Sequence, residues 1–150
     1  MSSPVWEIEH SVETAADPAF SWAYMSDVRN WDDPPAEFTL HGVFVSGVQG
    51  TTRMPGQSAR QWQLRGVTPI ESYTIKFPLD GASIFFKWQF NGLPGGRTRL
   101  TQHISVEGEN ASTYAADVKQ AFAPSLAPGM NKIAAAIDRA YAGSWQIEKS

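Results

Sequence analysis

Cysteine is absent from the 150-residue chain, which excludes disulfides, thiolate nucleophiles, CxxC redox chemistry and zinc sites built on sulfur. No apolar run approaches the roughly 18 residues that a membrane-spanning helix requires. The N-terminal stretch Met-Ser-Ser-Pro-Val-Trp-Glu has no basic segment followed by an apolar one, so neither secretion nor membrane insertion is expected, and a cytoplasmic location is. Basic charge is scarce: 12 Lys and Arg stand against 15 Asp and Glu, a net charge of −3. Without a basic run, nucleic acid and anionic membrane are disfavoured as partners. There are 3 histidines, without HxH or HExxH spacing or an accompanying acidic triad, so no metal site is expected and no cofactor is implied. GxGxxG, GxxxxGK[ST] and GxSxG are also missing, and Gly92 to Gly96 reads as a turn. Asn110-Ala111-Ser112 matches a glycosylation sequon, which carries no meaning without a secretory signal.

What the chain has in excess is aromatic. With 6 Trp, 8 Phe and 4 Tyr, it holds more rings than a small core needs for packing, and rings can line a pocket as well as fill one. The length fits one domain over residues 1–150, large enough to bury a core without metal or disulfide staples.

Along the chain, Val5 to Glu13 alternates, with Trp6, Ile8, His10 and Val12 on one face and Glu7, Glu9, Ser11 and Glu13 on the other, the pattern of a half-buried strand. Asp17 and Pro18 suit the N-cap and first position of a short helix through Phe20, Trp22 and Tyr24. Asp27 opens a second short turn, which Pro34 and Pro35 stop. Asp32 and Asp33 read there as solvated turn residues and not as a catalytic pair. Strand signals follow at Phe38 and Leu40, at Phe44 and Val45, and from Thr51 to Met54, with a turn from Gly47 to Gly50. They continue from Arg60 to Val67 and through Tyr73, Ile75 and Phe77; Pro78 to Gly81 turns into a strand carrying Ile84, Phe86, Trp88 and Phe90. After the loop Asn91 to Gly96, Thr98 to Glu107 forms a last long strand with Leu100, Gln102, Ile104 and Val106 on one face and Arg99, Thr101, His103 and Ser105 on the other.

Two helical stretches close the chain. Tyr114, Val118 and Phe122 recur four apart within Ala111 to Ala123. Leu126, Met130, Ile133, Ile137 and Tyr141 then form an apolar stripe over Ala127 to Gly143, which Ser125 can cap, Pro128 can open and Gly143 can end. Pro124 to Gly129 either kinks one helix or separates two. A stripe of about four turns is not stable alone in water, so it needs a receiving surface. Strands joined by tight turns pair antiparallel and leave one apolar face to cover, which this helix fits.

This order, with Ala16-Asp17-Pro18-Ala19-Phe20 after the first strand, the Asp27 to Trp31 segment, and the Leu-Ala-Pro-Gly opening of the last helix, resembles the START-like, or helix-grip (SRPBCC), superfamily. That superfamily includes polyketide cyclase/dehydrase-like proteins, pollen allergens and lipid-transfer domains. The resemblance runs from about Val5 to Gly143. It implies an α+β fold: a curved seven-stranded antiparallel sheet wrapped around a long C-terminal helix, two short helices after the first strand, and an apolar cavity. It implies a ligand class and not a reaction. The chain departs from the pattern in its longer connection through Ala111 to Gly129, at the expected mouth of the cavity.

The inward face of the strands is polar in a few places: His10, Arg60, Gln102, the Tyr73 hydroxyl and the indole N–H groups of Trp62 and Trp88. A mostly apolar groove with a few directed polar groups is the usual form of a small-molecule site. His10 interrupts an apolar strand face, and imidazole is the side chain suited to proton transfer near neutral pH. Its alternative reading is a buried histidine satisfied by one hydrogen bond. If the first and last strands pair, Gln102 lies beside it. Trp62, Tyr73, Phe77, Phe86 and Trp88 either stack on a planar ligand or pack as ordinary core. Met130 and Ile133 face the sheet as core or as adaptable ligand contacts. Arg60, near a strand end, either binds an acidic substituent or is simply solvated. His41 and His103 point outward.

Three functions compete. The first is binding of a hydrophobic small molecule, a lipid, aromatic or polyketide-like compound, between the sheet and the C-terminal helix. The second is an enzyme of cyclase, aromatase or dehydratase type that uses His10 as general acid or base. The third, a regulatory domain that binds a protein or forms a homodimer through its sheet, requires an apolar outer patch. The outward residues are mostly polar.

Overall fold

The computed structural model describes residues 4–31 and 35–149, with side chains as far as Ser144. The strand β1 (Trp6–Thr14) leads into the helix α1 (Pro18–Met25) and a 3-10 turn (Val28–Asn30). The strands β2 (Glu37–Leu40), β3 (Gln49–Arg53), β4 (Arg60–Thr68), β5 (Ser72–Leu79), β6 (Ala82–Leu93) and β7 (Arg97–Glu107) follow, and then the helices α2 (Ala111–Phe122) and α3 (Leu126–Lys149). Seven strands form one antiparallel sheet in the order β1-β7-β6-β5-β4-β3-β2. The chain is thus a meander whose first strand crosses over to pair with its last, the seven-stranded helix-grip architecture that the resemblance implies.

Local chemistry accounts for several boundaries. The Asp17 carboxylate accepts from the Phe20 N–H at 2.7 Å, and Pro18 occupies the first turn, where its missing N–H costs nothing. Asp27 plays the same part for the 3-10 turn, accepting from the Arg29 N–H at 3.0 Å. At Gly108 the backbone takes φ +125°, and a Cβ there would stand 2.7 Å from the Ala82 backbone, so the exit from β7 admits only glycine.

Alternate residues of each strand fall on one inner face, as the register shows. Trp6, Ile8, His10 and Val12 stand opposite Val106, Ile104, Gln102 and Leu100, and these stand opposite Ile84, Phe86, Trp88 and Phe90. α3 packs chiefly along β1, burying Leu126, Met130, Ala134 and Ile137 together with Leu100, Ile104 and Val106. The junction is fastened by Asp138 of α3, whose carboxylate accepts from the Ala15 N–H at 2.8 Å and from the Thr14 hydroxyl.

Four sequence expectations change. Phe44 and Val45 are not in a strand: residues 41–48 form an irregular loop that turns the Phe44 ring inward against Trp22 and Tyr73. Gly50 lies within β3 and Pro78 within β5, so the turns are shorter than the glycines and prolines suggest. The Ser125 hydroxyl bonds back to the Ala121 and Phe122 carbonyls at the end of α2, at 3.3 and 3.4 Å. Finally, α3 continues past Gly143 to Lys149. A glycine costs a helix about 1 kcal/mol and does not stop it unless the chain turns left-handed there. α2 and α3 are two helices, not one kinked helix. Asp32 and Asp33 lie outside the described residues.

Candidate ligand-binding site

The inner face is unevenly covered. β7 is sealed, with Leu100, Ile104 and Val106 each at most 1% exposed. Toward the Phe90 end, Trp22 of α1 packs edge-on against Tyr73 and Phe90 with centroids 5.9 and 5.4 Å apart, and Phe44 closes on Tyr73 at 5.0 Å. Toward the opposite corner, Trp31 lies over Trp62 at 5.5 Å, held by its own indole N–H donating to the Met25 carbonyl at 2.7 Å. Between these two aromatic clusters, Ile75, Phe77 and Phe86 remain half-exposed, although they belong to the interior strands β5 and β6. Ile75 pairs with Phe86 and Phe77 with Ile84, so these residues adjoin. Phe122 of α2 borders them by an edge contact with Phe86 at 5.2 Å. Ile133 of α3 is half-exposed, while Met130 is 1% exposed.

The residues singled out from the sequence occupy distinct places. His10 and Gln102 are direct cross-strand partners and both are half-buried; among the described residues no hydrogen bond joins them. Gln102 in turn stands opposite Trp88, and Trp88 opposite Tyr73. Trp62 is 2% exposed; its indole N–H donates to Thr52 Oγ1 at 2.9 Å, and its ring lies against Gly50, where an added Cβ would come within 2.2 Å. It backs the corner beneath Trp31. Arg60 is exposed and sets its guanidinium over the Phe77 ring, 5.0 Å from the centroid. Tyr73 is 1% exposed, and burial pushes its phenol well above the usual tyrosine range. It therefore stays neutral, a hydrogen-bond donor, across the physiological range.

Sequence reading did not single out Ile75 or Phe122 as site residues. Ile75 follows from the same alternation that marks Tyr73 and Phe77. Phe122 carries no such signal, because its position depends on how α2 turns back across the sheet. His41 and His103 lie outward, with His41 near the Thr51 hydroxyl at 3.2 Å and His103 near the Glu7 carboxylate at 3.8 Å. The best-defined surface depressions, of about 180 and 290 Å³, lie on the outer face around Lys76. Both fall below the roughly 300 Å³ at which small-molecule pockets begin. Among the described residues no group of three His, Cys, Asp or Glu side chains could hold a metal ion. No described helix is long and apolar enough to cross a membrane.

The fold is shared with solved structures of low sequence identity. A truncated norcoclaurine synthase from Thalictrum flavum superposes with a TM-score of 0.69 at 14% identity, over 93% of this chain and 94% of that one. The same enzyme in complex with dopamine and hydroxybenzaldehyde gives 0.65 at 13%, over 95% and 88%. The Zhui aromatase/cyclase from Streptomyces sp. R1128 gives 0.67 at 16%, over 89% and 94%. No curated protein matches the sequence. The family model for polyketide cyclase / dehydrase and lipid transport matches residues 5–138, the whole sheet and about the first half of α3. Together with the seven-stranded sheet and its long closing helix, that match places the chain in the polyketide cyclase / dehydrase and lipid transport family.

Proposed function

We propose that this protein binds a small hydrophobic molecule, a lipid, aromatic or polyketide-like compound, in a trough between the inner face of the sheet and α3, floored by Ile75, Phe77 and Phe86. The observation that carries this reading is the half-exposure of Ile75, Phe77 and Phe86 on interior strands, where a close-packed core would seal them. In this reading Phe77, Phe86, Met130 and Ile133 contact the apolar body of the ligand. Trp62, Tyr73 and Trp88 form the aromatic backing, and Arg60 meets an acidic substituent at the rim. Each 100 Å² of apolar surface removed from water contributes about 2.5 kcal/mol before association costs. The bound norcoclaurine synthase offers a parallel, since its ligands are also small aromatic molecules. The test is a screen of flat apolar compounds by tryptophan quenching and thermal shift, repeated on Ile133→Trp, which fills the trough from the helix side. Binders should raise the melting temperature with concentration and lose about tenfold or more in affinity in the variant. No response across a broad library would sink the reading.

A second reading rests on the position of His10, half-buried on the inner face with Gln102 directly opposite. There it would act as general acid or base of a cyclase, aromatase or dehydratase, with the trough folding a reactive chain. For any substrate the protein turns over, His10→Ala should retain binding and lose activity; full turnover by this variant defeats the enzymatic role.

A further inference from the structure

We infer that His10, Gln102, Trp88 and Tyr73 form a hydrogen-bonding subsite that selects flat apolar ligands carrying neutral acceptor oxygens, carbonyl or ether, along one edge. This deepens the binding reading above and rests on it. The four residues make one row straight across β1, β7, β6 and β5, each the direct cross-strand neighbour of the next. At the usual strand spacing such a row spans about 15 Å. The rows on either side are apolar: Ile8, Ile104, Phe86 and Ile75 on one, Val12, Leu100 and Phe90 on the other. Polar groups on this part of the face are thus concentrated in a single line.

Among the described residues that line lacks protein partners. None of the four side chains has a hydrogen bond to a described residue, although Trp88 is only 5% and Tyr73 only 1% exposed. Buried donors are nearly always paired, so an unpaired pair on adjacent strands calls for an occupant. The two donors are also not sealed. Among the described residues, Ser21 Oγ alone is a fully enclosed side-chain polar atom without a partner; Tyr73 Oη and Trp88 Nε1 therefore each keep a trace of accessible surface. Burial alone perturbs the Tyr73 phenol, with no hydrogen bond or charge contributing, which agrees with a hydroxyl that has no protein partner.

The chemistry of the row sets the ligand class. The Trp88 indole donates only, the neutral Tyr73 phenol donates foremost, Gln102 supplies an amide N–H pair beside its carbonyl, and a neutral His10 adds one further donor. Donors outnumber acceptors, so the matching edge is rich in acceptors. No lysine or arginine stands in the row, and Arg60 lies toward the other end of the trough beyond Leu64 and Trp62. A neutral oxygen therefore fits better than a carboxylate or phosphate.

A matched pair of probes tests this: flavone, which carries a ring oxygen and a carbonyl, and 2-phenylnaphthalene, of the same outline without oxygen. Both are titrated by tryptophan fluorescence into the wild-type protein, Tyr73→Phe and Gln102→Leu. The wild type should bind flavone about tenfold tighter. Each variant should lose about fivefold or more for flavone and leave 2-phenylnaphthalene unchanged. Equal affinities in the wild type, or variants that treat both probes alike, overturn the subsite and leave the binding reading intact. Failure of both probes to bind counts against the binding reading and removes this one with it. A ligand-free measurement is decisive by itself. An unpartnered hydroxyl can be deleted without loss, so Tyr73→Phe should keep the wild-type melting temperature to within about 2 °C; a larger fall means the hydroxyl is bonded within the protein and overturns the proposal.

Discussion

At Gly50 a methyl group would stand 2.2 Å from the Trp62 ring, a separation that real Cβ atoms do not reach. The glycine is there because the indole lies flat over β3, and not because the backbone needs a positive φ. Gly50→Ala must push Trp62 toward Trp31, which already packs on its other side at 5.5 Å. Overpacking of this kind costs about 1–3 kcal/mol, read as a lower urea midpoint with the tryptophan emission moved to longer wavelength. An unchanged midpoint would show that the ring can swing away freely. From the sequence, Gly50 reads as the end of a turn. The requirement for glycine arises from a ring on the next strand, directly opposite in register, and no local pattern carries that information. Trp62 itself is legible as an inward residue, because alternation alone sets which way it faces.

Among the elements, the attachment of α3 to the sheet depends on one polar contact in an otherwise apolar interface. Asp138 accepts from both the Thr14 hydroxyl and the Ala15 N–H where β1 ends, and the Thr98 hydroxyl holds the next carbonyl, of Ala16, at 2.8 Å. Thr14 is 1% exposed, so loss of the Asp138 carboxylate leaves its hydroxyl donor unmatched where water does not reach. Asp138→Ala is expected to cost about 1–3 kcal/mol. The control Asp117→Ala, on the exposed side of α2, should stay within about 0.5 kcal/mol. Similar denaturant midpoints for the two variants would refute the role assigned to Asp138. The apolar stripe of α3 is plain in its spacing, but Asp138 reads only as a residue off that stripe. Its function appears once the helix is laid along β1. The continuation of α3 past Gly143 has the same origin: glycine permits a helix to end, and whether it does is decided by what the following chain packs against.

At the scale of the molecule, β1 closes the sheet by pairing with β7, the strand farthest from it among the strands in sequence. This long-range pairing couples the two ends of the chain, and we propose that residues 1–150 unfold as one unit. Far-UV circular dichroism and tryptophan fluorescence should give superimposable denaturation curves; separated transitions would mean that α2 and α3 detach from a persisting sheet. The described outer face carries Glu7, Glu9, Lys87, Gln89, Gln61 and Gln63, polar residues that suit a sheet face in water. The sequence by itself determined most of the element order, the inner and outer faces of the long strands and the capping at Asp17, because each depends on residues within a few positions of one another. It also placed His10, Gln102, Trp88 and Tyr73 on the inner face. Only the tertiary structure decided that these four stand in one row without a partner among the described residues, that Phe44, Trp22 and Trp31 fill the two ends of the inner face, and that Ile75, Phe77 and Phe86 between them stay partly exposed. Those facts depend on cross-strand register and on where three helices come to rest, which are set by packing between residues far apart in the chain.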